Sequence, residues 1–165
     1  MATLGDYRLL KILGKGAFSW VFLGEHIETG NRYALKVMER NKVIDGINLS
    51  DLAEKEIEIT REINHPNIIN INDWSMTEAI VLDSGKQKEV CYMALDIASG
   101  GELFDIVFQT GILNERMARF YFLQLLDVLE YLHGMGISHC DIKLNNVLLD
   151  QDFNLKLSDF GLSSK

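Results

Sequence analysis

The 165-residue sequence contains only two cysteines, Cys91 and Cys140, in unrelated contexts and with no framework spacing. That excludes a disulfide-stapled secreted fold and points to a reducing compartment. Positive charge is also scarce: 16 Lys and Arg face 24 Asp and Glu, for a net charge of −8. Such a balance argues against nucleic acid or an anionic membrane as the main partner, and it also serves plain solubility. No apolar run approaches the roughly 18 residues of a membrane span. The start, Met1-Ala2-Thr3-Leu4-Gly5-Asp6, lacks a signal-peptide pattern. The expected location is therefore cytosol or nucleus. What is present, 47% apolar and 24% charged residues, suits one ordinary globular domain with enough chain to bury a core.

The pattern along the chain changes once. Residues 7–13, 18–26 and 32–38 are β-rich runs, the last two joined by the turn Glu28-Thr29-Gly30-Asn31. A helix is expected from Ser50 or Asp51, where Asp51 and Glu54 have capping-box spacing and Leu52, Ile57 and Ile63 share a face. Residues 68–74 and 90–95 read as two further strands. The stretch 75–89 between them is longer than a usual hairpin connection and reads as a surface extension of the hairpin, without assignable chemistry. Then a strong helix starts at Asn114-Glu115 and is expected to reach His133, with Gly134 as its C-cap. Over residues 120–132 it is apolar nearly all round, as a helix in the middle of a larger body would be.

The chemistry concentrates near the end. His139-Cys140-Asp141-Ile142-Lys143-Leu144-Asn145-Asn146 is followed, thirteen residues after Asn146, by Asp159-Phe160-Gly161. The apolar runs Val147-Leu148-Leu149 and Leu155-Lys156-Leu157 between them read as a tight hairpin, bringing Asp141, Asn146 and Asp159 to one edge. Two oxygen ligands beside a further carboxylate make a hard-cation site with a candidate base, the requirement of phosphoryl transfer. Upstream, Gly14-x-Gly16 is followed by a strand rather than a helix, so it suits a hairpin lid over phosphates better than a dinucleotide-binding turn. Lys36 lies in an apolar strand, where a lone charge is costly, and so needs an acidic partner. Glu54, Glu56, Glu58 and Glu62 all lie on the following helix.

These groups, in this order, resemble the signature set of protein kinases. The glycine-rich loop is matched by Leu13-Gly14-Lys15-Gly16-Ala17-Phe18-Ser19-Trp20-Val21, and the lysine strand by Tyr33-Ala34-Leu35-Lys36-Val37. Glu56, ten residues before Pro66, matches the lysine's partner, and Met93 through Phe104, with Gly100-Gly101-Glu102, resembles the hinge. The resemblance runs from about Tyr7 to Gly161 and is nearest the calcium/calmodulin-dependent and AMP-activated-like serine/threonine kinases. It implies an α+β fold: an antiparallel β small lobe with one main helix (7–96, with the start of the hinge), then the first, mostly helical part of a large lobe (97–165). The chain stops four residues after Gly161, before any activation segment, and so reads as a kinase domain cut off after its metal-binding motif.

The resemblance also implies roles. Asp141 would be the base toward a protein Ser or Thr hydroxyl, and Lys143 would neutralise the γ-phosphate of ATP. Asn146 and Asp159 would hold Mg²⁺. Lys36, paired with Glu56, would hold the α- and β-phosphates under the loop of Leu13, Gly14, Lys15, Gly16, Ala17, Phe18 and Ser19. Val21, Ala34 and Leu148 would enclose adenine, and the backbone of Asp96 and Ala98 would bond its edge. Leu95 would be the gatekeeper, and Glu102 would meet the ribose or an arginine of the substrate. His139 would be a packed structural histidine. Four departures stand out. Ser19 replaces the third loop glycine. Cys140 replaces the arginine that grips a phosphorylated activation segment, and Leu144-Asn145 replaces the common Pro-Glu. Thr60 takes the place of an aliphatic residue packed near Phe160, Ile71 and His139. The competing readings are a nucleotide-binding pseudokinase module and an interaction fragment docking, or self-associating, through the exposed large-lobe helix.

Overall fold

The computed structural model describes residues 2–165. They form two compact units, one comprising the residues up to Glu58 with Ile71–Ile97, the other Ile59–Asn70 with Ala98–Lys165. The fold is α+β: antiparallel sheet with one helix, followed by a mostly helical part.

In the first unit, β1 (Thr3–Leu4), β2 (Tyr7–Lys15), β3 (Trp20–His26) and β4 (Arg32–Glu39) precede a short hairpin, β5 (Val43–Ile44) and β6 (Ile47–Asn48). Asp45 and Gly46 both have positive φ, 50° and 81°, the Asp-Gly signature of a two-residue turn. Helix α1 (Leu49–Glu62) follows, then β7 (Ile71–Val81) and β8 (Gln87–Leu95). The long strands close into an antiparallel barrel in the order β1-β2-β3-β4-β8-β7, with β1 pairing on both sides. Strand alternation aims Leu35 and Val37 of β4, and Val90, Tyr92 and Ala94 of β8, into the interior with Leu4, Tyr7, Leu9 and Ile80. A Cβ on Gly24 would lie 2.3 Å from Leu35 Cδ1, so only glycine fits there. The alternate residues Met38, Cys91 and Met93 pack outside the barrel against Leu49, Ala53 and Ile57 of α1.

One boundary departs from expectation for an identifiable reason. Asn48 accepts a 3.0 Å hydrogen bond from the Ser50 N–H, so α1 starts at Leu49, ahead of the Asp51 signal. Residues 75–89 extend the hairpin as expected, β7 and β8 staying paired out to Val81↔Gln87, and β1 adds a second partner to the outer end of β7 (Thr3↔Val81, Leu4↔Ile80).

The second unit contains β9 (Gly101–Glu102), α2 (Leu103–Thr110), α3 (Glu115–Gly134), a 3₁₀ turn at Leu144–Asn146, β10 (Val147–Leu149) and β11 (Leu155–Leu157). Strands order as β11-β10-β9. Ile68, Leu103, Val128, Leu132, Leu149, Leu155 and Phe160 are among the core residues. Asn114 caps α3 by accepting from the Met117 N–H at 2.9 Å. At the other end Gly134 is still helical, and Gly136, with φ 74°, makes the left-handed turn. Of its apolar surface α3 buries Tyr121, Val128 and Leu132, leaving Phe120, Phe122, Leu123 and Leu126 exposed. Among the described residues no helix is long and apolar enough to cross a membrane.

Candidate active site

In the first unit, residues 16–19 connect Lys15 of β2 to Trp20 of β3, which are register partners, as are Gly14 and Val21. The Gly16 N–H donates to the Ser19 carbonyl at 2.8 Å and tightens the tip. A Cβ on Gly14 would meet no protein atom within 4 Å, and one on Gly16 would meet Ser19 Oγ at 3.3 Å. Packing therefore does not demand glycine at 14; with no Cβ there, an anion can approach the backbone closely. Leu13, Lys15 and Ala17 are exposed, whereas Phe18 packs against the α1 cluster.

The register sets Val21 opposite Lys36, and Ala34 opposite both Leu23 and Leu95. Ala34 and Lys36, two apart, share the outer face of β4. Lys36 Nζ lies 2.6 and 2.8 Å from the two carboxylate oxygens of Glu56. Glu56 is 4% exposed, while Glu54, Glu58 and Glu62 are exposed and Glu62 pairs with Lys165. Of four acids on the helix, Glu56 alone among the described residues is both buried and bonded to Lys36. Just beyond β8, Asp96 accepts from Asn72 Nδ2 at 2.8 Å.

In the second unit the β10–β11 hairpin forms as expected, with Val147↔Leu157 and Leu149↔Leu155 in register. His139 is 2% exposed and braces the loop before it. Its Nδ1 accepts the Asp141 N–H at 3.2 Å, so the ring's proton is on Nε2, which donates to the Ser158 carbonyl at 3.1 Å. The ring meets Phe160 edge-on at 4.8 Å. Burial holds its pKa below the ordinary histidine value, which keeps it neutral and structural.

Asp141 receives two donors on one oxygen: Lys143 Nζ at 2.7 Å and Asn146 Nδ2 at 2.9 Å. The Lys143 hydrogen bond holds the Asp141 carboxyl below its usual range, and Asp141 in turn raises the Lys143 ammonium. The carboxylate is therefore ionised at neutral pH. Asn146 also donates to the Asp141 carbonyl at 2.8 Å, which turns its amide oxygen to the other side. Cys140 and Asp159 hold φ of 64° and 66°, conformations costing of order 1–3 kcal/mol for non-glycine residues. Such strain at two points flanking one cluster is a mark of a functional loop rather than of idle turns. Glu102 and Leu148 are Cα partners across β9 and β10, and Ala98 closes the preceding turn by accepting from the Gly101 N–H.

The protein kinase domain profile matches residues 7–165. The chain belongs to the protein kinase domain family. Among its relatives, CBL-interacting serine/threonine-protein kinase 26 of Arabidopsis thaliana is 40% identical over 161 residues, 98% of this chain and 34% of the relative. CBL-interacting protein kinase 1 of Oryza sativa subsp. japonica is 35% identical over 163 residues, 99% of this chain and 33% of the relative. The chain thus spans about a third of the length of these curated relatives.

Protein kinases use ATP and Mg²⁺, and the donor chemistry here fits a hard cation. Asp159 offers a carboxylate and Asn146 an amide oxygen, while no cluster of three His, Cys, Asp or Glu forms a complete cage among the described residues. Mg²⁺ suits this arrangement, since it takes one or two protein oxygens and completes its shell with phosphates and water. Two kinase-loop residues escaped the sequence reading. Ser158 donates its N–H and its Oγ–H to the Asn146 carbonyl at 2.9 and 3.0 Å, tying the hairpin's two ends together. Asn145 Nδ2 donates to Glu102 at 2.9 Å. The signal for Ser158 was its place beside Asp159; for Asn145 there was none beyond its departure from the common glutamate.

Proposed function

We propose that this chain carries the phosphoryl-transfer centre of a serine/threonine protein kinase, moving the γ-phosphate of Mg-ATP to a protein Ser or Thr hydroxyl. The observation that supports this best is the Asp141 carboxylate, kept ionised by Lys143 and aimed by Asn146 within a strained loop. Mg-ATP, when bound, supplies the transferable phosphoryl group and a cation that offsets its charge. Asn146 and Asp159 would hold the cation. Lys36, its ammonium fixed by Glu56, would bind the α- and β-phosphates, and the bare backbone at Gly14 and Gly16 would approach them without a side chain intervening. Leu13, Val21, Ala34, Leu95 and Leu148 would enclose the adenine, with Asp96 and Ala98 offering backbone groups and Glu102 the ribose contact. Asp141 would orient the incoming hydroxyl and take its proton at the carboxylate, while Lys143, three donors on a mobile stem, would place positive charge beside it. Lys143 two residues after Asp141 favours serine and threonine as acceptors.

The partners proposed are protein substrates with serine or threonine and, through the apolar face of α3, further copies of the chain; the setting proposed is cytosolic or nuclear. Calorimetry with ATP, with and without Mg²⁺, tests the nucleotide half. Mg-dependent binding that is lost in Asp159→Asn is the expected result, and no binding at millimolar ATP in folded protein would refute the reading. Radiolabel transfer to serine, threonine and tyrosine peptides tests the chemistry. Asp141→Asn should keep binding and cut transfer by about 10²-fold or more, the scale of losing a positioned acid–base group. Binding without transfer in the unsubstituted chain would favour the pseudokinase reading.

A further inference from the structure

The barrel is packed only part of its length. At the end where β2 stops, β3 starts, β4 stops and the β7–β8 turn lies, the last inward-facing positions of successive strands are Trp20, Glu39 and Lys88. These continue the inward series Leu35–Val37–Glu39 and Lys88–Val90–Tyr92, yet they do not fill the space. Two cavities of about 410 and 200 Å³ open there, sharing Trp20, Ile80 and Lys88 among their lining residues. Trp20 is 41% exposed, Ile12 62% and Leu82 44%, so the rim of the larger cavity is a wet apolar surface. Barrel mouths of this size are habitual small-molecule sites, which span about 300–1,000 Å³.

The charge at this mouth is opposite in sign to that of the chain. Lys11, Lys15, Lys42 and Lys88 line the two cavities against a single acid, Glu39, in a protein of net charge −8. Glu39 Oε1 already takes both Lys88 Nζ at 2.8 Å and Lys42 Nζ at 3.0 Å, so one carboxylate answers two ammonium groups. Lys15 and Lys88 stand 5.8 and 5.5 Å from the Trp20 ring centre. An apolar floor, an aromatic wall and surplus positive charge at the opening together select a ligand with an apolar body and an acidic head.

We infer that the open end of the barrel is a binding site for a small amphipathic carboxylate, its chain against Trp20, Phe22, Ile80 and Leu82 and its head at Lys88. The smaller cavity is also lined by Gly16, Ala17, Phe18 and Ser19. An occupant there bears on the glycine-rich loop and restrains it from the barrel side. The site stands independently of the phosphoryl-transfer reading, because every residue in it belongs to the first unit and no nucleotide is involved.

The test uses the whole chain with Trp74→Phe, which leaves Trp20 as the sole tryptophan. Its fluorescence is titrated with decanoate, decan-1-ol and decyltrimethylammonium, three heads on one tail. Decanoate should give a saturable blue shift; the alcohol should bind about tenfold more weakly, the loss of one charge-assisted contact, and the cation not at all. Lys88→Gln, and Ile12→Glu at an exposed rim position, should each weaken decanoate about tenfold while circular dichroism stays unchanged. Equal affinity for the three heads, or unaltered affinity in both variants, would overturn the proposal, as would the absence of any saturable response. A dimer in sedimentation that buries Trp20 and breaks on Ile12→Glu would assign the mouth to a second copy instead.

Discussion

Lys36 and Glu56 are the clearest case of one residue constraining another. Side-chain exposures of 11% and 5% leave little water to screen either charge. Removing one partner takes the bonded countercharge from the other, and breaking a buried ion pair costs about 3–5 kcal/mol. Lys36→Met is therefore expected to lower unfolding stability in urea by about 3 kcal/mol, while adding Glu56→Gln should recover a substantial part of it, a coupling within the usual range for contacting pairs. Additive losses in that cycle would show that the pair is not energetically linked. His139 gives a pH dependence. Its folded pKa is depressed by burial, so the unfolded chain takes a proton below about pH 6.5 that the folded chain resists. Stability from this group is present above pH 6.5 and lost as pH falls through the folded value. Thermal unfolding between pH 7 and 5.5 should show a falling midpoint, with a shallower slope in His139→Gln. Identical slopes would place the titration elsewhere.

At the scale of elements, the two-residue strand β1 has an effect beyond its length. Leu4 is fully buried and its backbone joins β2 to β7, closing the sheet. Leu4→Ala should cost about 3 kcal/mol, within the range for buried leucines, and raise amide exchange at Ile80 and Val81. Unchanged exchange there would show that the strand ends pair without β1. The cap of α3 is a smaller term: Asn114→Ala leaves the Met117 N–H without its acceptor and should lower stability by about 1 kcal/mol in thermal unfolding. Sequence patterns located α1 and α3, because caps and apolar spacing are local. They did not show that β1 closes the sheet, since its partner on β7 lies more than 70 positions away.

For the whole molecule, the exposed side of α3 matters most. Phe122 and Leu123 are 59% and 53% exposed, and in the same unit Phe108 and Ile112 reach 79% and 98%. Large apolar side chains exposed to this degree favour association. Sedimentation should show an average mass that rises with concentration, reduced in Phe122→Glu; a mass independent of concentration would dismiss self-association through this face.

The sequence by itself determined the kinase family, the order of its motifs, the β10–β11 hairpin and the structural role of His139. Each rests on residues close in the chain or on one strongly apolar or charged pattern. Tertiary structure decided that Ser158 ties the hairpin's ends, that Asn145 bonds Glu102, and that the barrel closes yet stays open at one mouth. Those depend on which strands become neighbours, and hydrogen bonding and packing between distant segments leave no mark on the local pattern of either one.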